Sequence, residues 1–244
     1  DTDSPKFQGN KTNVTFDSAT DSIKLTNPAT NLTGEYAFNE VLDLGAVFSL
    51  DLKRHILSEG FYSGSLFDSR TALIDTWSDF DGQSATAVNC DILVAVTQDN
   101  PSSGSPTFTA FQSFVNGTYK GRGFKFKAVL SSQDPAQNIR ISELGYTATF
   151  QRRTEQSATA IATGGGARNV TFSNAFFTGT SALLGANSNL PSIGITATDN
   201  ITSGDFFTVT NISNTGFTVH FKDSSNSSID RNFNFSAVGF GKGV

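Results

Sequence analysis

Residues 215–221 read Thr-Gly-Phe-Thr-Val-His-Phe and residues 232–240 read Asn-Phe-Asn-Phe-Ser-Ala-Val-Gly-Phe, and these stretches decide the fold of the C-terminal region. Both alternate apolar and polar side chains, the period of two that is typical of a strand with one buried face. The apolar members of the two alternations are Phe217, Val219, Phe221, Phe233, Phe235 and Ala237. The pattern predicts two strands whose phenylalanines face one core.

The composition of the 244-residue chain favours strands over helices. It contains 23 Phe, 22 Gly and no Met, and it is rich in Ser, Thr and Asn, as expected for short strands joined by tight polar turns. Strand-like runs occur at residues 13–16, 22–25, 34–38, 47–56, 91–97, 108–111, 121–130, 139–150, 169–172, 192–198, 206–211, 217–221 and 232–240. We expect an all-β chain of two consecutive antiparallel β-sandwich, jelly-roll-like domains.

Glycine and polar residues place the expected domain boundaries. Residues 1–11 carry Pro5 and Gly9 and are predicted to be a linker from an upstream segment. Three consecutive glycines at 164–166 cannot hold a packed element without a large loss of backbone entropy. We therefore expect a first sandwich over residues 12–152, a Gly/Ala/Thr-rich linker over residues 153–168 and a second sandwich over residues 169–244.

Charge and cysteine content exclude several classes of partner. The net charge is −5, so binding to the phosphates of nucleic acid is disfavoured, as is attraction to anionic membranes. No run approaches eighteen apolar residues, so we expect no membrane insertion. The single cysteine, Cys90, excludes an internal disulfide and is expected to be a small buried hydrophobe. A disulfide-free extracellular chain without an initiating Met suits the C-terminal portion of a longer bacterial or viral protein.

The first half of the chain resembles discoidin-type, galactose-binding-like domains. The resemblance rests on Val-Leu-Asp-Leu-Gly at residues 41–45, the strand ending in Gln98 and Asp99, and the run Asn-Ile-Arg-Ile-Ser-Glu-Leu at residues 138–144. These phrases are similar to the entry strand and the closing strands of that family. The resemblance implies a β-sandwich that can hold a structural calcium on its loops.

The second half resembles the H-type lectin domain through its Thr-Gly-Phe strand entry and its closing aromatic-x-aromatic-x-Ala-x-Gly strand. Pairs of such domains are similar to the C-terminal region of tailed-phage tail fibres and host-specificity proteins. The resemblance implies a virion protein of the phage tail, outside the cell, that adheres to host surface polysaccharide. It also implies a homotrimer that joins other tail proteins through its N-terminal side.

The family's sugar site is only partly matched. H-type lectins stack the sugar on an aromatic in the loop after the Thr-Gly-Phe strand and hold hydroxyls with Arg or Asn just before it. Here residues 222–230 contain no aromatic, and residues 203–207 contain no cation. The remaining candidates for hydrogen bonds or stacking on a sugar are Asp223, Asn226, Asp230, His220 and Trp77, the only tryptophan. Polar Asn/Ser/Asp loops are also ordinary turn chemistry, and Trp77 could serve as a packing anchor.

Metal binding and catalysis have weaker signals. Asp79 and Asp81 lie in an Asp-rich stretch that briefly resembles a calcium loop, but the further ligands and the closing Glu of an EF-hand are missing. We therefore expect no cofactor and leave a structural calcium open. His55 and His220 have no nucleophile or orienting carboxylate nearby in sequence, so we expect no enzyme. The alternatives to adhesion are a structural trimerising tip or adaptor of the tail, and a glycan-degrading enzyme.

Overall fold

The computed structural model describes residues 5–63, 73, 85–180, 183–185 and 188–241. Within these residues the chain contains strands and no helix, so the expected all-β class is confirmed. The candidates Trp77, Asp79 and Asp81 lie outside the described residues.

Sixteen strands are present in the described part of the chain. They are β1 (Asn10–Thr12), β2 (Val14–Asp17), β3 (Ser22–Leu25), β4 (Thr33–Ala37), β5 (Leu42–Tyr62), β6 (Val88–Thr97), β7 (Gln112–Ser113), β8 (Gly117–Ser132), β9 (Gln137–Thr149), β10 (Arg152–Gln156), β11 (Ile161–Ala162), β12 (Arg168–Thr171), β13 (Ser192–Ala197), β14 (Phe206–Thr210), β15 (Gly216–Lys222) and β16 (Asn232–Phe240). Most coincide with a predicted strand to within a few residues.

The first nine strands form one antiparallel sheet, counted over the described residues. The order along it is β1-β4-β8-β5-β9-β3-β2, and β6 pairs with both β7 and β8. Residues 123–132 of β8 pair with β6 through the register Val96↔Phe124 and Ile92↔Ala128. Because β8 also pairs with β4 through Tyr36↔Ala128, its C-terminal half has a neighbour on each side.

The chain divides into two compact units. Unit 1 comprises Asp1–Leu42, Leu52–Gly117 and Gly123–Ala148, and unit 2 comprises Asp43–Asp51, Thr118–Arg122 and Thr149–Val244. Unit 2 is therefore not a contiguous C-terminal segment. This differs from the boundary at residues 153–168 that the glycines indicate, because N-terminal parts of the long strands β5 and β8 are assigned to unit 2.

The core of unit 1 is apolar, and the buried amide of Asn138 within it is hydrogen-bonded. Ile23, Leu25, Phe124 and Ile141 are fully buried. Asn138 is also buried, and its side chain accepts a hydrogen bond from the backbone nitrogen of Leu25 at 3.2 Å and donates one to the carbonyl of Leu25 at 2.9 Å. A buried amide that makes both bonds avoids the cost of an unpaired polar group.

Unit 2 contains a β-sandwich of two sheets. In one sheet β16 pairs with β10 and β11 on one side and with β13 on the other; the second sheet has the order β12-β15-β14, and we call it the β15 sheet. The strands pair antiparallel, and the core lies between the sheets. Its buried members are Val170, Phe172, Phe176, Phe217, Val219, Phe221, Phe233, Phe235 and Ala237. The predicted inward phenylalanines of the two opening sequence stretches all belong to this core.

An aromatic cluster extends the packing of unit 2. The rings of Phe150 and Phe177 are stacked with centroids 3.7 Å apart, and Phe48 meets Phe177 edge-on at 5.8 Å. A Cβ added to Gly241 would lie 2.8 Å from the Phe48 ring, so glycine is required for this close approach. Phe48, from β5, is thereby part of the interior of unit 2.

Three expectations about the elements need correction. The expected linker over residues 153–168 contains most of β10 and all of β11, because both strands pair with β16 through backbone hydrogen bonds that need no apolar side chains. The expected linker over residues 1–11 contains the start of β1, which pairs with β4. The expected strand over residues 108–111 is absent; Phe108 and Phe111 instead lie over the ammonium groups of Lys125 and Lys127.

Candidate functional site

The outer face of the β15 sheet carries the candidate site. Alternation along β15 directs Phe217, Val219 and Phe221 to the core, so His220 and Lys222 face outwards. On the neighbouring strand, Thr208 pairs with His220 and Phe206 pairs with Lys222. Partners directly opposite each other share one face of a sheet, so these four side chains form a single outward surface.

His220 is held by a hydroxyl rather than by a carboxylate. Its Nε2 lies 2.7 Å from Oγ of Ser228. Ser228 also forms an isolated antiparallel β-bridge with Lys222, which holds the end of the loop beside β15. Because the partner is a hydroxyl, the contact is consistent with either neutral tautomer. The pair presents one ring nitrogen and one hydroxyl oxygen on the surface.

The loop after β15 is organised by its own polar groups. The Oδ1 atom of Asp223 accepts hydrogen bonds from the backbone nitrogens of Ser225 and Ser227, both at 2.9 Å. Asn226 has a φ of 64° and accepts a 2.9 Å hydrogen bond from Nζ of Lys222. Asp223 therefore serves mainly as a turn residue. The Nδ2 group of Asn226 makes no hydrogen bond to any described residue, so it can donate to a ligand.

Asp230 is engaged in another turn. Its Oδ1 accepts hydrogen bonds from the backbone nitrogen of Gly164 at 2.7 Å and from Oγ1 of Thr163 at 3.2 Å. Gly164 has a φ of 69°, a conformation that favours glycine, and the Asp230 carboxylate fixes this turn. The structure thus brings His220, Asp223 and Asn226 onto one strand-and-loop unit, and it assigns Asp230 a separate structural contact.

Phe206 supplies the aromatic ring that the loop over residues 222–230 lacks. Phe207 contacts the buried ring of Phe221 at 5.4 Å, so Phe207 is on the core side and Phe206 is on the outer side, where 42% of it is exposed. Sequence reasoning missed Phe206 because it looked for an aromatic residue only in the loop after β15 and examined residues 203–207 only for a cation. The signal was available, since two adjacent phenylalanines in a strand must face opposite sides.

Arg231 supplies the cation that is missing from residues 203–207. Its Nη2 lies 2.6 Å from Oδ2 of Asp205, whose side chain is 3% exposed. Asp205 also accepts a hydrogen bond from the backbone nitrogen of Thr202 at 3.1 Å. The hydrogen bond from Arg231, followed by the one from Thr202, lowers the pKa of Asp205 below its ordinary value of 3.8. This arrangement fixes the turn that leads into Phe206.

The outer surface combines an exposed aromatic ring with several polar side chains. The Phe206 face can pack against the C–H groups of a pyranose, while Lys222, His220, Ser228, Thr208 and the amide of Asn226 can hydrogen-bond its hydroxyls. Over the described residues, no group of three or more His, Cys, Asp or Glu side chains is arranged to hold a metal ion. The weak metal candidates Asp79 and Asp81 lie outside those residues.

Comparison with known proteins returned no match: no family model, no curated protein and no solved structure is similar to this chain. Within its described part, the chain also contains no helix with the length and apolar character needed to cross a membrane.

Proposed function

We propose that this chain is the receptor-binding part of a phage tail fibre or host-specificity protein and that unit 2 adheres to host surface glycan. The observation that carries the proposal is the exposed ring of Phe206, which shares one outer face with Lys222 and the His220–Ser228 pair. An aromatic face beside several short polar groups is suited to a pyranose, which has an apolar face and a rim of hydroxyls.

The resemblances in sequence support the same reading. The two strands that resemble the H-type lectin domain, β15 and β16, are central strands of the sandwich in unit 2. A surface patch of this kind gives weak binding at each copy, so adhesion depends on several copies acting together. Linking copies makes later binding events intramolecular and raises avidity about 10²–10⁴-fold. A homotrimer that joins other tail proteins through its N-terminal side provides such an arrangement.

A glycan array probed with the purified chain and with a Phe206→Ala variant tests this proposal. We expect the wild-type chain to bind a subset of bacterial surface glycans, and the Phe206→Ala variant to lose about tenfold or more in affinity. Stacking of a nucleobase on one aromatic side chain contributes roughly 1–3 kcal/mol, and we expect a pyranose face on the Phe206 ring to contribute at the lower end of that range. Phe111→Ala is the matched control, because Phe111 is 41% exposed and also lies beside a lysine, but it belongs to unit 1.

Two outcomes would reject the adhesion proposal. Failure of the multivalent wild-type chain to bind any glycan on the array would remove it, as would equal losses for Phe206→Ala and Phe111→Ala. Release of reducing sugar from a bound host polysaccharide would instead support the second alternative, a glycan-degrading enzyme.

The exposed edge strand β14 favours the first alternative, a structural trimerising tip. Strand β14 lies at the edge of its sheet in the described structure, and Phe206, Phe207 and Ile201 beside it are all more than 40% exposed. Exposed apolar edge strands are sites of association. If β14 joins subunits, Phe207→Ser lowers the oligomer mass measured by light scattering. If the outer face binds glycan, Phe206→Ala lowers glycan affinity while the oligomer mass is unchanged.

A further inference from the structure

A second groove lies at the other edge of the sandwich in unit 2. Strands β10 and β12 are edge strands of the two facing sheets in the described structure, and a cavity of about 380 Å³ opens between them. This volume is within the lower range of small-molecule sites. Its lining includes Glu155, Ser157, Arg168, Val170, Thr171 and Phe235. Because β12 and β14 are opposite edges of the β15 sheet, this groove is distinct from the Phe206 surface.

Strand register directs charged side chains into the groove. Arg168 pairs with Val219 and lies two residues before the core residue Val170, so it is on the inner face of β12. Across the groove, Glu155 pairs with the core residue Ala237, so it is on the inner face of β10. A guanidinium and a carboxylate thus occupy inward positions at the open edge, above an apolar floor.

The carboxylate in the groove is already neutralised. Oε2 of Glu155 accepts a hydrogen bond from Nη1 of Arg153 at 2.9 Å, and Oε1 accepts one from the backbone nitrogen of Ser173. The side chains of Arg153 and Glu155 are only 15% and 13% exposed. The side chain of Arg168, in contrast, makes no ion pair or hydrogen bond with any described residue. The groove therefore has one uncompensated positive charge, which belongs to Arg168.

Neutral polar groups surround this charge. The backbone N–H of Phe172 donates a hydrogen bond to the carbonyl of Thr215, on the β15 side. Backbone N–H groups of successive residues in a strand point to opposite sides, so those of Asn169 and Thr171 point away from β15. These groups and Thr159 line the groove, while Val170 and Phe235 form part of its floor. The site thus combines one cation, several donors and an apolar base.

We propose that this groove binds an acidic monosaccharide unit, a pyranose that carries a carboxylate. The guanidinium of Arg168 pairs with the carboxylate in a bidentate manner, the apolar floor contacts the C–H face of the ring, and the donors that line the groove bind its hydroxyls. The inference goes beyond the adhesion proposal, since it names a second site and a charge class of ligand that the Phe206 surface does not select.

Calorimetric titration of the full chain with methyl β-D-glucuronide, methyl β-D-glucoside and sodium acetate tests the inference. We expect the glucuronide to bind at least about tenfold more tightly than either of the other two, because charge-assisted hydrogen bonds are the stronger ones. Arg168→Ala should lower glucuronide affinity about tenfold or more, and Arg168→Lys should lower it less. The matched control is Arg152→Ala, since Arg152 is an exposed arginine on the outer face of β10.

Each contrary result has a definite meaning. Equal affinities for glucuronide and glucoside would show that the ligand carboxylate does not contribute to binding. Equal affinities for glucuronide and acetate would show that the sugar ring does not contribute. Either result would contradict the inference. An Arg168→Ala variant that keeps glucuronide affinity but aggregates would identify Arg168 as a charge that protects the edge strand from pairing. Phe206→Ala should leave glucuronide binding in the groove unchanged, so this inference and the adhesion proposal can fail separately.

Discussion

At the scale of single residues, the ion pair between Arg231 and Asp205 shows how distant parts of the sequence prepare one surface. Arg231 immediately precedes β16, whereas Asp205 immediately precedes β14, and their contact holds the turn before Phe206. Arg231 also donates to the carbonyl of Asp230. One arginine therefore links the turn before the aromatic residue to the end of the loop that follows β15.

This pair predicts a specific acid dependence of stability. The folded pKa of Asp205 lies below its ordinary value of 3.8, so above that value the carboxylate is ionised in both states and the pair contributes fully. As pH falls through 3.8 and then through the folded pKa, the unfolded state takes up the proton first and stability is lost. We expect Asp205→Asn to be less stable than wild type at pH 7, and this difference to shrink below about pH 4.

Urea denaturation of both proteins between pH 7 and pH 2 measures this difference. If the difference in the free energy of unfolding between wild type and Asp205→Asn stays constant from pH 7 to pH 2, the assigned role of the Asp205 carboxylate is contradicted.

At the scale of elements, β10 is one of the strands that sequence patterning did not reveal. Its residues alternate in exposure, yet its inner positions are Arg153 and Glu155 rather than apolar side chains. Arg153 lies over the ring of Phe176 at 3.8 Å, and Gly239 leaves room for that ring, since an added Cβ would be 2.5 Å from it. The ion pair thus takes the place of an apolar core contact at this edge.

Removing one partner of this pair should cost far more than removing a surface charge. Glu155→Gln leaves the Arg153 guanidinium mostly buried without its counter-charge, and we expect a loss of about 2–4 kcal/mol in the free energy of unfolding. Glu35→Gln is the matched control, because Glu35 pairs with Lys127 at 2.9 Å but is 49% exposed; we expect less than about 1 kcal/mol there. Chemical denaturation of the two variants under the same conditions measures both values, and similar losses would argue against a special role for the pair.

Periodicity predicted the strands that bury an alternating face and missed those that do not. Residues 22–25 and 232–240 were predicted with the bounds of β3 and β16, because their phenylalanine, isoleucine and leucine side chains mark the core side. β11 is only two residues long and was missed with β10. For Phe206, alternation could show that one of the two adjacent phenylalanines faces outwards, but its place beside Lys222 follows from strand register, which alternation within one strand cannot supply.

At the scale of the whole molecule, the most important point is that unit 2 is built from three separate stretches of chain. The segment Asp43–Asp51 contributes Phe48, which is 2% exposed and contacts Phe177 in the aromatic cluster. A boundary drawn from composition alone would leave this residue out. The C-terminal stretch by itself therefore lacks part of its own interior.

A fragment of residues 149–244 should accordingly be less stable than unit 2 in the full chain. Without Phe48, the ring of Phe177 loses an edge-on partner and becomes exposed, so we expect a lower melting temperature and binding of a dye that detects apolar surface. In the full chain, Phe48→Ala should cost about 3–5 kcal/mol for the same reason. The exposed Phe111→Ala serves as the control, with an expected change of less than about 1 kcal/mol. A fragment that melts like unit 2 in the full chain would contradict the unit assignment.

The position of β16 at the centre of its sheet has a consequence for how the protein is made. β16 pairs with β10, β11 and β13, and β10 begins about 80 residues earlier in the chain. At typical translation rates, the ribosome needs roughly 4–16 seconds to synthesise that interval. Once Lys222 has been synthesised, β12, β14 and β15 can pair while β16 is still incomplete, so Phe217 and Phe221 have no facing sheet. A nascent chain arrested before Asn232 would present this uncovered face to chaperones and proteases, so synthesis of β16 closes the sandwich.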